Sequence, residues 1–328
     1  MSAEDRARES NLFLLCHDCH KKIDSIQHRD SYSVEFLTSK KSEHEERVRQ
    51  VTDFATLRPT TVLRLVGSVR GTLSPIPPAQ ISEALRREGL TGMGEDTRNG
   101  VFDIALPDSE SASWYWARAK EIINKTVDRV FDAIAAEDTS VLSVFAIAPV
   151  PVLIYLGSRL DDKAETLLYH RQRQDGVDAW TWPGAGPATP VPTFTVEHVT
   201  GLDAFSPAGA VEEVVVLVSL SARVSRERIP STLAGMPVLE LRPKTLQPTP
   251  DVIDSRAALN AFGQTWRGAL SLIEATFPKA SKIHLIAAVP TTAAVTLGRH
   301  HMREAQPDLV LYQRNDDDSY DAVLEVTA

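Results

Sequence analysis

The chain has 328 residues, long enough for two or three modules, and carries a formal net charge of -9 at pH 7. Because nucleic-acid binding requires clustered lysine and arginine, this charge argues against general nucleic-acid affinity and leaves local contacts or contacts assembled by oligomerisation. No apolar stretch reaches membrane-spanning length, and the opening Met1–Arg6 lacks the order of a signal peptide. We therefore expect a cytoplasmic protein without membrane contact.

Cysteine and histidine are concentrated at the start of the chain. The first fifty residues contain both cysteines, Cys16 and Cys19, and four of the nine histidines. Two cysteines exclude a disulfide framework, and the pattern Cys16-x-x-Cys19-His20 has three interpretations. It is typical of c-type haem attachment, which requires export, and of half a four-cysteine zinc site, whose second cysteine pair is absent from the sequence. The third interpretation is a ββα-metal nuclease.

The middle of the chain predicts a linker followed by mixed helices and strands. Residues 46–60 are charged and predict a helix and a linker, and Thr61–Gly67 alternates like a strand. A helix is predicted from Ala79 to about Glu88, after a proline turn. A longer helix is predicted between Trp114 and Ala136, where apolar residues recur at helical spacing.

Two later segments repeat each other. Each begins with an apolar run that ends at a proline, Pro149 in the first copy and Pro290 in the second, and such runs are typical of buried parallel strands. Leu-Gly follows at the same distance, which predicts a short helix closed by Gly157 or Gly298 in a left-handed cap. A second strand ending in Tyr-x-Arg comes next. The repeat predicts two fused Rossmann-like halves, and chance similarity between two α/β units is the alternative.

Arginines cluster after an apolar run of valines and leucine. Arg223, Arg226 and Arg228 follow this run, and Ser219 and Ser221 lie at its end. Open α/β sheets bind anionic ligands at strand ends, and arginine and hydroxyl groups suit a phosphate. The alternative is a solvated loop.

The segment from Asn11 to Asp24, with Cys16-x-x-Cys19-His20 at its centre, closely resembles the second half of HNH endonucleases. The resemblance implies that His20 helps to hold a divalent metal such as Mg²⁺ at the scissile phosphate. It also implies that Asn11 fixes the loop of the catalytic histidine and that Cys16 and Cys19 hold a structural zinc. The first histidine of the signature, the general base, has no counterpart before Asn11. We interpret this as a start placed after the missing hairpin, and a degenerate nuclease is the alternative.

From about residue 61 onward the chain resembles the SAVED domain, a fusion of two CARF-like halves. The matching segments are Val144–Pro151 with Leu156-Gly157, Arg171 before Trp180-Thr181-Trp182, Val218–Ser221, and Val289-Pro290 through Arg299 to Tyr312. The resemblance implies an α/β fold of two fused Rossmann-like, CARF-like halves forming a SAVED domain, preceded by a partial ββα-metal HNH module. The expected domains are 1–50 for the partial HNH module, 51–60 for a linker and 61–328 for the SAVED sensor.

HNH followed by SAVED is an effector arrangement of the bacterial anti-phage systems called CBASS. The resemblance implies that a cyclic di- or trinucleotide made by a partner nucleotidyltransferase binds the SAVED cleft and favours a homo-oligomer. This assembly would activate metal-dependent HNH cleavage of double-stranded DNA. The alternative is a cyclic-nucleotide sensor with an inactive nuclease remnant. A third hypothesis is a redox or zinc module unrelated to nucleotides.

Chemistry narrows the expected ligand contacts. Phosphates attract arginines, hydroxyls and helix N-termini, and flat bases stack on aromatic or guanidinium groups. The predicted contacts lie in three strand-end loops and among four stacking candidates: Pro149 and Val150; Ser219, Ser221 and Arg223; Thr291, Thr292 and Arg299; and, for stacking, Trp180, Trp182, Trp266 and Arg267. Core packing is the alternative for each tryptophan.

Overall fold

The computed structural model describes residues 12, 15–25, 31–52, 57–92, 101–137, 140–160, 164–172, 179–182, 190–200 and 211–328. The chain divides into two compact units, residues 1–57 and residues 58–328. This division falls within the segment 51–60 that the sequence analysis assigns to a linker. The predicted site residue Asn11 lies outside the described residues.

The described part of the first unit is helical. Helix α1 spans His17–Asp24 and follows Cys16, whose extended backbone makes it the N-cap residue. Helix α2 spans Val34–Thr52, and the Ser33 hydroxyl caps it by accepting a hydrogen bond from the Phe36 N–H at 3.2 Å. The two strands of a ββα module are not among the elements described here, so that part of the expected fold stays a prediction.

The second unit alternates strands and helices. Its strands are β1 (Arg58–Val69), β2 (Thr72–Leu73), β3 (Leu90–Gly92), β4 (Val101–Leu106), β5 (Val141–Ile147), β6 (Glu165–Leu168), β7 (Phe194–Thr200), β8 (Glu213–Ser219), β9 (Val238–Pro243), β10 (Lys282–Ala288), β11 (Asp308–Arg314) and β12 (Tyr320–Val326). Its helices are α3 (Pro78–Arg87), α4 (Tyr115–Glu137), α5 (Val150–Arg159), α6 (Arg256–Thr276) and α7 (Thr291–Arg299), with short 3-10 turns at Arg226–Arg228 and Ser231–Leu233. Within the described ranges, no helix combines the length and apolarity needed to cross a membrane.

The core of the first sheet is parallel, in the order β4-β1-β5-β6. β1 lies at its centre, and apolar side chains such as Leu63 and Leu65 are fully buried there. After β4 the chain crosses over through α4, which packs on β4 and β1, and enters β5 on the opposite side of β1. The order of the strands therefore reverses between β1 and β5.

The second sheet repeats this plan. Its central strands run parallel in the order β9-β8-β10-β11, and β7 and β12 are added antiparallel at the two edges. β8 takes the place of β1, α6 takes the place of α4, and β10-α7-β11 takes the place of β5-α5-β6. The repeated sequence segments are these equivalent strand-helix-strand units, one in each half.

The two repeated helices, α5 and α7, cross at their glycines. A methyl group built on Gly157 would overlap the Val295 carbonyl oxygen, and one built on Gly298 would overlap the Ile154 carbonyl oxygen. Both glycines lie inside their helices, so the predicted left-handed cap is wrong. Glycine is required because the two backbones touch, which no side chain would permit.

Candidate functional site

The carboxyl ends of the central strands form the candidate functional site. In each sheet the strand order reverses between two neighbouring strands, β1 and β5 in the first half and β8 and β10 in the second. Ligands of open α/β sheets bind outside the strand ends at such points, because the loops leave in opposite directions and a crevice remains. Helices α5 and α7 begin at these same strand ends.

In the first half, the loop between β5 and α5 is held tightly against β1. Pro149 is buried and is the N-cap residue of α5, and Val150 is half-buried at the first helical position. A Cβ on Gly67 of β1 would lie 3.0 Å from the Ala148 Cβ and 3.4 Å from the Pro149 Cδ. Gly67 therefore permits the close approach of the two strand ends. The predicted contacts Pro149 and Val150 lie at this edge.

In the second half, two threonines open helix α7. Thr291 and Thr292 follow Pro290, the N-cap residue, and the first backbone hydrogen bond of the helix runs from the Ala294 N–H to the Pro290 carbonyl at 3.0 Å. The preceding N–H groups have no partner within the helix. Thr292 is 2% exposed, and its hydroxyl has no hydrogen-bond partner among the described residues. A buried hydroxyl of this kind is unusual, because buried polar groups are nearly always paired.

A small, partly open pocket lies where α7 of the second half meets β5 and β6 of the first. Its lining is largely apolar and comes from both halves: Val144, Ala146, Leu168, Tyr169, Thr291, Thr292 and Val295. Burial raises the pKa of Tyr169 to about 12, so this phenol stays neutral at physiological pH. Both halves of the domain therefore contribute side chains to this one small pocket.

The loop after β8 is anchored to the end of β10. The Leu220 and Ser221 N–H groups both donate to the Ala288 carbonyl, at 3.0 and 2.8 Å. The Ser219 hydroxyl is fully buried, donates to Glu240 at 2.9 Å and accepts from the Val224 N–H at 3.1 Å. These internal bonds use the hydroxyl that was predicted to contact a ligand.

The remaining polar groups of this loop are more accessible. Arg226 donates to the buried Glu240 carboxylate at 3.0 Å. Ser221 is half-buried, and Arg223 is exposed. The loop therefore separates a structural group, Ser219, from two groups that can reach a ligand. Their ligand contacts stay predictions.

The two carboxyl edges adjoin each other. In β11, the Gln313 side chain donates to the Glu110 carboxylate, which follows β4 of the other half, at 3.5 Å. His170, which follows β6, lies near Asp251 and Asp254, which follow β9. Burial lowers the pKa of His170, and the two aspartates oppose that effect. The end of β11 thus lies beside a loop of the first half, and the end of β6 lies near a loop of the second half.

A sequence comparison identifies the family. Residues 122–326 match the model of the SAVED family, described as the "SMODS-associated and fused to various effectors sensor domain". This chain belongs to the SAVED family. The match includes β5, α5, β8, β10 and α7, whereas Gly67 of β1 and Glu110 precede the matched residues. The comparison with curated proteins found no match.

Solved structures share the SAVED fold at low sequence identity. The Acinetobacter baumannii Cap4 SAVED/CARF-domain containing receptor with the cyclic trinucleotide 3'3'3'-cAAA has 15% identity and a TM-score of 0.50, over 73% of this chain and 51% of the receptor. The same receptor with 2'3'3'-cAAA has 14% identity and a TM-score of 0.50, over 89% of this chain and 56% of the receptor. The chain thus spans about half the length of these receptors, and the likeness shows the fold.

Two tryptophans predicted to stack lie beyond the end of β6 in the SAVED domain. Trp180 is 2% exposed, packs edge-on against Phe145 and donates from Nε1 to Gln80 at 3.2 Å. Trp182 is half-buried and stacks on His170 with ring centroids 5.1 Å apart. Neither the Trp182 Nε1 nor the His170 Nδ1 has a hydrogen-bond partner among the described residues. Trp182 is therefore the better placed of the two for a ligand.

His170 was not among the residues predicted from sequence, although a signal for it existed. It is the middle residue of the first Tyr-x-Arg copy, and Gln313 is the middle residue of the second. Both lie where one half meets the other. The repeat shows that these two positions are equivalent, but neither side chain by itself indicates a ligand contact.

Three other predicted contacts lie at the opposite end of α7. Arg299 ends this helix, about 12 Å along the axis from Thr291. Trp266 is fully buried and donates from Nε1 to the Leu297 carbonyl at 2.9 Å, and the exposed Arg267 approaches His300 at 3.3 Å. The structure therefore does not bring Arg299, Trp266 and Arg267 together with Thr291. Trp266 has no exposed ring face on which a base could stack.

The predicted metal residues lie at the start of the first unit. His20 Nδ1 lies 3.0 Å from the Asp24 carboxylate, one helical turn away, which leaves Nε2 open to solvent or a metal. Hydrogen bonds from the backbone and side chain of Cys19 lower the pKa of the Cys16 thiol, whereas the hydrogen bond to Cys16 raises that of Cys19. The two thiols fit two ligands of a zinc tetrahedron. Among the residues that the structure describes, no three or more His, Cys, Asp or Glu side chains form a metal site.

Proposed function

We propose that the SAVED domain of this chain binds a cyclic oligonucleotide along the adjoining carboxyl edges of its two halves. The observation that carries this proposal is the pocket between Thr292 of the second half and Tyr169 of the first, within the residues that match the family. The Acinetobacter baumannii receptor of the same fold was solved with two cyclic trinucleotides, which supports the same ligand class here.

The chemistry of the edge suits such a ligand. The N-terminus of α7 carries partial positive charge, and the exposed Arg223 in the loop after β8 adds a full positive charge. The half-buried ring of Trp182 suits stacking with a base.

The finer proposal concerns the first unit. We propose that binding favours a homo-oligomer that aligns partial HNH modules on double-stranded DNA. The His20–Asp24 pair supports a metal-binding role, since a carboxylate on one ring nitrogen orients the other toward a metal. A divalent metal there would stabilise charge at the scissile phosphate. Cys16 and Cys19 would supply two ligands of a structural zinc.

Ligand binding is tested by thermal unfolding of the full chain with a panel of cyclic di- and trinucleotides. A ligand at a hundredfold excess over its Kd is expected to stabilise the protein by about 2.7 kcal/mol, which raises Tm by several degrees. Linear trinucleotides of the same base composition serve as controls and are expected to shift Tm less. Absence of any shift, together with absence of heat in titration calorimetry, would contradict the proposed function.

Nuclease activity is tested with duplex DNA and Mg²⁺, in the presence and absence of the cyclic nucleotide that shifts Tm. The general base has no counterpart before Asn11, so cleavage is expected only from a chain that also carries the histidine-bearing hairpin, and only with the nucleotide. In that chain His20→Ala is expected to reduce cleavage about a hundredfold or more, because the metal ligand is lost. His17→Ala changes an exposed histidine of the same helix and is the matched control. Equal cleavage with and without nucleotide would refute gating. Nucleotide binding without any cleavage would favour a sensor with an inactive nuclease remnant.

A further inference from the structure

The two equivalent helices begin with different residues. Counted from the N-cap proline, Val150 and Pro151 open α5 where Thr291 and Thr292 open α7. The surrounding strands are alike, since β5 and β10 occupy equivalent places in their sheets. The two equivalent strand ends therefore differ chemically in the first turn of the helix that follows each of them.

The first turn of α7 offers more donors than the first turn of α5. In α7 the N–H groups of Thr291, Thr292 and Ala293 precede the first intrahelical bond, and two hydroxyls accompany them. In α5 the corresponding first bond runs from the Leu153 N–H to the Pro149 carbonyl at 3.1 Å. Pro151 has no N–H, and neither it nor Val150 has a hydroxyl.

The Thr292 hydroxyl does not form the hydrogen bond that a buried helical threonine usually makes to a carbonyl of the preceding turn. One turn later in the same helix, Thr296 donates its hydroxyl to the Thr292 carbonyl at 2.9 Å, the usual solution for a buried threonine. The residue four positions before Thr292 is Ala288, which ends β10 and lies outside the helix, so the first turn offers Thr292 no such carbonyl. The Thr292 hydroxyl instead lines the pocket without a protein partner.

We propose that the first turn of α7, with the Thr292 hydroxyl, holds one phosphate of the ligand, and that the first turn of α5 holds none. This inference rests on the proposed function and deepens it. None of the residues that line the pocket is acidic, and the helix N-terminus favours an anion. The pseudo-symmetric domain thus binds the cyclic nucleotide in one orientation, because one of the two equivalent ends carries the hydroxyl donors.

The same contact joins the two halves of the domain. The phosphate donors belong to α7 of the second half, whereas Val144, Ala146 and Leu168 of the pocket wall belong to the first. A ligand group held here touches both halves at once. Its binding energy therefore favours the arrangement in which α7 lies against β5 and β6.

The test compares two threonine-to-valine variants of the full chain with the unaltered chain, with cyclic trinucleotide affinity measured by calorimetry. Thr292→Val preserves shape and removes the hydroxyl, and it is expected to weaken binding about tenfold or more. Its Tm without ligand is expected to stay equal or rise, since an unpaired buried polar group is removed. Thr296→Val is the matched control, with affinity expected to stay within about threefold.

The outcomes separate this inference from the function on which it rests. If the unaltered chain binds no cyclic nucleotide, the proposed function fails. If it binds and Thr292→Val binds equally well, the function stands and the phosphate position is wrong. An equal loss in Thr292→Val and Thr296→Val would also overturn the inference, because it would indicate a general change in α7.

Discussion

Gly157→Ala and Gly298→Ala are each expected to lower the free energy of unfolding of the SAVED domain by about 3 kcal/mol, the upper range for overpacking. The added methyl group on Gly157 would overlap the Val295 carbonyl and lie 3.0 Å from the Arg299 nitrogen. On Gly298 it would overlap the Ile154 carbonyl and lie 2.6 Å from the Ser158 nitrogen. All these atoms belong to helix backbones, so relief requires moving a whole helix.

Chemical denaturation with a two-state fit of the SAVED transition measures this effect. Gly268→Ala is the matched control, since Gly268 lies exposed in α6 and a Cβ there meets nothing within 4 Å. That variant is expected to leave stability unchanged or raise it by about 1 kcal/mol, the helix propensity difference between alanine and glycine. Equal stability of Gly157→Ala and Gly268→Ala would contradict the close crossing of α5 and α7.

The glycine variants also bear on ligand binding. The pocket depends on the position of α7 against β5 and β6, and the crossing with α5 holds α7 in place. We expect Gly298→Ala to weaken cyclic nucleotide binding even where the folded state persists. Gly268→Ala leaves this crossing untouched and is expected to bind as the unaltered chain does.

Trp266→Ala is expected to lower the free energy of unfolding by about 4 kcal/mol, because a fully buried indole leaves a large cavity. A second loss comes from the hydrogen bond to Leu297. The Leu297 carbonyl lies in the last turn of α7, and the nearby N–H of His301 donates to Gly298 instead, at 3.1 Å. Trp266 therefore satisfies a helix-end carbonyl that the backbone leaves unpaired.

Trp266→Phe separates packing from stacking, with stability and nucleotide affinity measured on the same sample. It is expected to cost about 1 to 3 kcal/mol, for the lost donor and part of the ring volume, and to leave affinity unchanged. Trp182→Phe is the matched substitution at a half-buried ring whose Nε1 is unpaired among the described residues. A loss of affinity in Trp266→Phe with unchanged stability would restore the stacking role predicted from sequence.

Much of the SAVED fold could be predicted because its signals are local. The apolar runs of β5 and β10 are buried as expected, and a proline begins the helix after each run. Prolines and glycines at equal spacing revealed the duplication. In the structure, the duplicated segments lie in two sheets whose strands have equivalent orders. Burial on both faces of a parallel strand and the geometry of proline act on single segments, so one sequence suffices to detect them.

The site residues were harder to predict, because the role of each depends on the residues from distant segments that it contacts. Ser219 and Ser221 are two positions apart, yet Glu240 engages the first and leaves the second accessible. Thr292 and Arg299 belong to one repeat segment, yet the helix between them places them at opposite ends. Closeness in the sequence therefore does not show which of two neighbouring polar residues can reach a ligand.

The sequence by itself determined the class of the fold, the duplication, the resemblance to SAVED and the cysteine-histidine segment of the first unit. The tertiary structure alone decided that Gly157 and Gly298 form a helix crossing rather than caps, and that Thr292 keeps an unpaired hydroxyl in a pocket between the halves. The physical reason is the same in both cases. Steric contacts and hydrogen-bond partners depend on which distant segments approach a residue in the folded protein. Residue type and spacing in the sequence do not specify these segments.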